Sequence, residues 1–405
     1  MPVVRVESIA AGGDGVGRLD GLAVFTARTA PGELVEVAMR QHGRLARGRL
    51  LRVIEPSPDR VTPRCRHYDG DRCGGCQVQH LSMDAQLTAK QRIVQDAFSR
   101  IAKRPVPLPE IVPSPNAWEY RSRLTLTMRW RAGAWMMGLH RFDDVDHVFD
   151  LRECPITDRR IVAAWSGVRE AAQWLPRSRE LRGTIRLVGD QLALIVEGGD
   201  AWSNAREFAA AVPNLSVIRW RPARGGTRVI IDRRAGGAPE ESFDQVNQPV
   251  AAAARDQLVE RALAGSPRSA VDAYAGLGAT ARALAAEGIT VTAIEADEAA
   301  AGFAAAHLPG ESRVVAARVE DVIDEVLPAD VVILNPPRAG VHVHVAEALE
   351  SQRTRRVMYM SCDAATLARD VGRLPAYRVV SLRAYDMFPQ TAHVEVVCEL
   401  IPEDA

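Results

Sequence analysis

Two side chains near the C-terminal end could do chemistry together: Cys362 in R-R-V-M-Y-M-S-C-D-A-A-T-L-A-R-D and Glu395 in Q-T-A-H-V-E-V-V. An ionised thiol attacks carbon, and a carboxylate beside it can remove a proton from what that attack produces. The apolar run 357–360 predicts a buried strand, and 364–370 predicts a helix opening after Asp363. Cys362 then falls where a parallel strand meets a helix, the ligand-bearing edge of an open α/β sheet. Helix amides there are expected to lower its pKa. A buried cysteine that only packs is the plainer alternative, and Cys398, three residues past Glu395, is read that way.

The elements that must position this pair form a doubly wound α/β pattern in the final third of the chain. Apolar strands are predicted at 269–275, 291–295, 313–319, 330–334, 357–360, 377–384 and 394–400, with helices between the first five. If the last strand runs antiparallel to the others, its start brings Glu395 back to the cleft. The first strand leads into V-D-A-Y-A-G-L-G-A-T, a turn with Asp272, Tyr274, Gly276 and Gly278 that enters a helix. The third glycine of a dinucleotide fingerprint is missing. Glu295 ends the second strand, where a carboxylate can accept both hydroxyls of a ribose. A glycine turn with that acid suits the nucleoside of S-adenosylmethionine.

N-P-P-R, residues 335–338, separates two methylation chemistries. Enzymes that methylate exocyclic amines often follow Asn-Pro-Pro with an aromatic that stacks on the base, and Arg338 stands there instead. Carbon 5 of uracil is a poor nucleophile until something adds to carbon 6. Cys362 could make that addition, and Glu395 could then take the proton from carbon 5.

Four further cysteines form a second constellation. Cys65, Cys73 and Cys76 fall in C-R-H-Y-D-G-D-R-C-G-G-C, and Cys154 follows in R-E-C-P-I. Zinc and iron–sulfur clusters both accept four thiolates. A single C-x-x-C knuckle favours a 4Fe-4S cluster over zinc, in a closed structural site tying Cys76 to Cys154.

Length and composition bound the rest. The 405 residues allow two or three domains, and 51 basic side chains balance 51 acidic ones, so net charge does not by itself call for a polyanion partner. The N-terminus has no secretory pattern and no apolar run has membrane-spanning length. A cytoplasmic monomer without a membrane partner is expected, and in that compartment cysteines argue for metal or catalysis before disulfides. The first sixty or so residues read as a five-stranded barrel whose later part carries Arg40, Arg44, Arg47, Arg49, Arg52, Arg60, Arg64 and Arg66. That basic stretch is either an RNA groove or a solvated charged edge. A helix is expected over 83–101, then antiparallel strands that include Y-R-S-R-L-T-L-T-M-R-W, A-W-M-M-G-L-H-R and D-H-V-F-D-L.

D-x-Y-x-G-x-G, N-P-P-R-A-G, M-S-C-D-A-A-T-L-A-R-D and Q-T-A-H-V-E, with F-D-Q-V-N and the four-cysteine spacing, resemble the RNA uracil-C5 methyltransferases of the RumA type over nearly the whole chain. The front of the chain resembles the TRAM module, an RNA-binding barrel. The resemblance implies Cys362 as nucleophile, Glu395 as base, and Gln245, Tyr274, Glu295 and Asn335 around cofactor and target base. Two departures stand out. Asn335 replaces a frequent aspartate, and Arg318 occupies the place of an adenine-facing acid or amide, which leaves Asp321 as the candidate. The expected fold is α/β, with a TRAM- or OB-like barrel over 1–62, a β-rich central domain with the cysteine site over 63–245, and a Rossmann-like S-adenosylmethionine methyltransferase domain over 246–405. By family analogy ribosomal RNA is the favoured substrate, with transfer RNA or a non-catalytic RNA-binding role as alternatives.

Overall fold

In the computed structural model, which describes residues 1–234 and 245–403, valines alternating with polar residues at the front of the chain close a barrel. Its strands are β1 (Val3–Ile9), β2 (Gly15–Leu19), β3 (Leu22–Thr26), β4 (Leu34–His42) and β5 (Leu45–Glu55), in the order β1-β2-β3-β5-β4. Successive strand residues face opposite ways. Val4, Val6, Val24, Val35, Val37 and Ala46 therefore fill the interior, none more than 2% exposed. Outside, Arg47 pairs with Asp14 and Arg52 with Glu36, while Arg60 reaches the buried Glu33.

The cysteine segment follows the barrel, and then a helix, Met83–Ala97, capped by the Ser82 hydroxyl, which accepts from the Ala85 amide. It buries Ile93, Val94 and Ala97 along one side, and with them Lys90, whose ammonium pairs with the fully buried Asp386 and donates to Phe388 O at 3.0 Å. This pair fastens the helix to the segment that leads into the last strand. A π-helical turn, Phe98–Ala102, ends the run at a left-handed Lys103. Next comes β6 (Glu110–Val112), only three residues long and not foreseen from the sequence, which pairs with the far edge of the C-terminal sheet.

The middle of the chain is a six-stranded sheet in the order β12-β11-β10-β9-β7-β8. Its strands are β7 (Arg123–Arg131), β8 (Ala134–Gly138), β9 (Glu180–Val188), β10 (Gln191–Glu197), β11 (Val217–Arg221) and β12 (Arg228–Asp232). One face packs on the helices Arg159–Glu170 and Ala205–Ala211, with Trp165 and Phe208 at most 1% exposed. On the other face Arg129 pairs with Glu180, Arg182 and Arg221 with Glu197, and Arg219 with Asp232. The strand expected at D-H-V-F-D-L does not form; a lone bridge joins His140 and Val148. Phe149 and Leu151 donate to Leu139 O and Met137 O, but Leu151 O is taken by the Trp165 indole and Arg169, so no ladder closes.

The last third is an eight-stranded sheet ordered β15-β14-β13-β16-β17-β19-β18-β6. It comprises β13 (Ser269–Ala273), β14 (Thr290–Glu295), β15 (Arg313–Ala316), β16 (Val331–Leu334), β17 (Arg356–Ser361), β18 (Tyr377–Tyr385) and β19 (Glu395–Pro402), with β6 at its edge. The first five are parallel, and β19 runs antiparallel between β17 and β18. Two expected strands end early: β13 stops at a left-handed Tyr274, and β15 stops at Ala316 because Val319 begins a helix that buries Val319 and Ile323. Phe243 and Asp244 of F-D-Q-V-N, and the glycine-rich flank 235–238, lie outside the described residues. Among the described residues no helix is long and apolar enough to cross a membrane.

Replacing Lys90 alone with Met strands a buried carboxylate, which costs about 3–5 kcal/mol. Urea unfolding should show a loss of that size, and Lys90→Met with Asp386→Leu should recover most of it. A single-variant loss near zero would mean the pair holds nothing.

Candidate active site

At the C-terminal ends of β13 and β14 the backbone is shaped for a close ligand. Tyr274 has φ +62°, a conformation that a bulky side chain adopts at a cost. Gly278, at φ +72°, starts the helix Ala279–Ala286 where an added Cβ would sit 2.9 Å from Ala304 Cβ. Glu295 spans this turn, accepting from Gly276 N at 2.7 Å through one oxygen and from Asp297 N at 2.8 Å through the other. Asp272 lies beneath, 2% exposed, with Oδ2 unpartnered. Burial pushes its carboxyl up to about 7, eased by the Ala281 backbone and reinforced by the negative Glu295. An orphaned acid below a left-handed turn fits a cationic nucleoside such as S-adenosylmethionine.

The other expected cofactor residues are placed less evenly. Asn335 closes β16, and its amide donates to Ala273 O at 3.4 Å, joining the two strand ends where the sheet order reverses. Gln245 is half-buried, and its carbonyl accepts from the Ser122 hydroxyl, which ties it to the central sheet. Asp321 is exposed on the first turn of its helix. Glu320, which sequence reasoning passed over, is the less exposed acid: it pairs with Arg318 and its charge bears on Tyr274. The residue order A-R-V-E-D held both, and only the rotation of the helix separates them.

The nucleophile candidate stands where two strands meet. In the antiparallel register Ser361 faces Val396, so the next position along each strand sets Cys362 against Glu395. Asp363 caps the following helix, Ala364–Val371, by accepting from Thr366 N at 2.8 Å. The expectation of a lowered thiol pKa is overturned. Burial pushes the Cys362 thiol up, Glu395 and Asp363 push the same way, and only Arg338 opposes, by its charge and by a hydrogen bond to the sulfur. Removal from water outweighs whatever the helix start supplies.

Glu395 is 1% exposed and its Oε2 has no partner. Burial raises its carboxyl to about 8, against the pull of Arg338. A base held near the working pH is in the range where proton transfer is efficient. Arg338, exposed at the surface, is thus the cation that serves both acids. Sequence reasoning used it only to exclude a stacking aromatic. Its signal was a guanidinium directly after Asn-Pro-Pro.

Behind Arg338 lies a cavity of about 260 Å³ lined by Cys65, Cys73, Cys76 and Cys154, with Arg121, Arg338 and His393 on its wall. All four cysteines are free thiols, and burial pushes each of them up, Cys73 to about 12. Among the described residues no three His, Cys, Asp or Glu side chains converge on a single ion. His67, between the first two cysteines, accepts from the Arg152 amide at 3.1 Å and so draws Cys154 toward the others. Four thiols lining one cavity are the donor type that both zinc and iron–sulfur clusters take.

Comparisons with known proteins identify the family. A family model described as tRNA (Uracil-5-)-methyltransferase matches residues 311–401. The 23S rRNA (uracil(1939)-C(5))-methyltransferase RlmD of Dechloromonas aromatica is 31% identical, over 98% of this chain and 99% of that protein. An RNA methyltransferase of Thermosynechococcus vestitus is 30% identical over 98% of this chain and 97% of its own. The Pyrococcus abyssi tRNA (uracil-54, C5)-methyltransferase, solved with S-adenosyl-L-homocysteine, superposes with a TM-score of 0.72 at 23% identity, covering 99% of this chain and 100% of that one, and so shares the fold. With a relative at that identity along its full length, the chain belongs to the S-adenosylmethionine-dependent RNA (uracil-C5)-methyltransferases.

Proposed function

We propose that this enzyme methylates carbon 5 of a uridine in large-subunit ribosomal RNA, with Cys362 as covalent nucleophile and Glu395 as the base that completes the reaction. The observation that carries the mechanism is the register of β17 and β19, which sets the thiol against a buried, unpartnered carboxyl. The Cys362 thiolate adds to carbon 6, and the ring electrons move toward O4, making carbon 5 nucleophilic. S-adenosylmethionine, when bound, supplies the methyl group that carbon 5 takes. The Glu395 carboxylate removes the proton from carbon 5, the electron pair reforms the ring double bond, and the carbon–sulfur bond breaks to return the thiolate. Arg338 is the group that favours the thiolate against burial, so the fraction that attacks depends on it.

Asp272, Tyr274, Gly276, Gly278 and Glu295 are assigned to the cofactor, and Gln245 and Asn335 to the side nearer the target base. Glu320 replaces Asp321 as the acid proposed for the cofactor's adenosine end. The uridine must leave its stack, at a cost of about a few kcal/mol that favours loops. The barrel, 1–62, and the central region, 63–245, are proposed to grip the flanking RNA. Ribosomal RNA is preferred because the RlmD relative matches end to end; the likeness to the transfer-RNA enzyme supports the fold alone. Cys65, Cys73, Cys76 and Cys154 are proposed to hold a 4Fe-4S cluster that pins the cysteine segment to the central sheet.

RNA carrying 5-fluorouridine, which has no proton to surrender at carbon 5, should leave a protein–RNA band in denaturing gels that vanishes in Cys362→Ala. Glu395→Gln should accumulate methylated RNA still bonded to protein, and release at the normal rate from that variant would remove Glu395 from the mechanism. Since the base works ionised and its pKa is raised to about 8, adduct breakdown should speed up with pH and level off above that value.

A raised carboxyl also affects stability. The folded state holds the Glu395 proton between the ordinary value, 4.5, and about 8, so its contribution is full at acid pH and is lost as pH rises through that window. Glu395→Gln should therefore unfold later than wild type in alkaline urea titrations, by on the order of 5 kcal/mol at most. The gap should close in acid; a gap independent of pH would show that Glu395 is not held protonated.

A further inference from the structure

The reading of Cys362 as nucleophile leaves open what keeps a long, exposed arginine aimed at its sulfur. Arg338 sits on the turn 338–341, and that turn lies flush on the helix that starts two residues after the cysteine. Thr366 Oγ1 donates to Arg338 O at 3.1 Å, Arg369 Nη2 donates to Ala339 O at 2.7 Å, and Val341 N donates to Asp370 Oδ2 at 3.0 Å. Gly340, at φ +81°, is pressed so closely that an added Cβ would lie 2.2 Å from Asp370 Oδ2 and 2.5 Å from Thr366 Cγ2.

Asp370 anchors this contact. It is fully buried, yet both its oxygens are engaged: Oδ2 also accepts from the Tyr359 hydroxyl at 2.7 Å, and Oδ1 accepts from Arg369 Nε at 2.9 Å and Arg373 Nη1 at 3.1 Å. A buried carboxylate with every site filled has one arrangement and resists leaving it. Tyr359 belongs to β17, the strand that ends at the cysteine. The anchor therefore ties three things into one body: the strand before Cys362, the helix after it, and the turn that carries Arg338.

We propose that Thr366, Arg369 and Asp370 are positioning residues that hold the Arg338 guanidinium against the Cys362 sulfur, so that this helix sets how readily the nucleophile ionises. The titratable and charged groups facing that sulfur are the Glu395 carboxyl from β19, Asp363 at the helix start and Arg338 from the turn. Only the last is positive. A small drift of the turn removes the one group that favours the thiolate and leaves both that oppose it.

The test is the rate of Cys362 alkylation by iodoacetamide against pH, read on its own peptide by mass spectrometry in the full-length, cluster-loaded protein. Thr366→Val, which deletes one hydroxyl, and Asp370→Asn should each move the midpoint upward and slow alkylation at mildly alkaline pH by about two- to tenfold, the span of a single hydrogen bond. Neither should alter affinity for S-adenosylhomocysteine, and neither should slow alkylation further in an Arg338→Gln background. If both slow it equally with and without Arg338, or Thr366→Val leaves the midpoint where it was, the proposal fails. Should Asp370→Asn not fold, Thr366→Val decides alone. The nucleophile reading is separately exposed: an adduct with 5-fluorouridine RNA that survives in Cys362→Ala would end it without touching the alkylation result.

Discussion

One guanidinium stands between two acids that water barely reaches. Burial drives both the Cys362 thiol and the Glu395 carboxyl toward their neutral forms, and Arg338 is the group that opposes it at each. Charging both acids together would set two anions against one cation in a poorly solvated space, where their repulsion is weakly screened. The proposed mechanism charges them in turn. Once the sulfur is bonded to carbon it carries no charge, so Glu395 is easier to ionise after the addition than before it.

The fold exists around that pair in a concrete sense. The reversed last strand delivers Glu395 to the end of the sheet where β17 delivers Cys362. The segment before that strand is fastened from behind by the buried Lys90, and Tyr120 donates to Pro389 O at 2.9 Å from the central region. The cysteine cavity shares Arg338 and His393 with the catalytic side. The central region and the C-terminal sheet thus meet near the cleft through a few side chains.

The sequence showed the site wherever its signal was local. The apolar run before Cys362, the Asp363 cap, and the glycine turn at Tyr274 are consecutive residues with characteristic preferences, and they stand where the pattern put them. The final strand was legible at H-V-E, but its reversal was only a condition in the sequence and is supplied by the sheet. What the chain order hid were the consequences of burial. Local helix amides predicted a more acidic thiol, whereas burial, reinforced by Glu395 33 positions away in sequence, makes it less acidic, and the one opposing group, Arg338, is 24 positions away. Arg338 went unread for the same reason. Glu320 and Asp321 are neighbours whose difference lies only in which way the helix turns them, and β6 is too short to carry a periodicity.

The central claim is that burial keeps Glu395 uncharged until the reaction calls on it. Infrared difference spectra of wild type against Glu395→Gln, taken across a pH series, report that proton directly through the carboxylic C=O band. The band should persist at neutral pH and fade near pH 8. A band already gone in mildly acidic solution, where an ordinary glutamate ionises, would contradict the account.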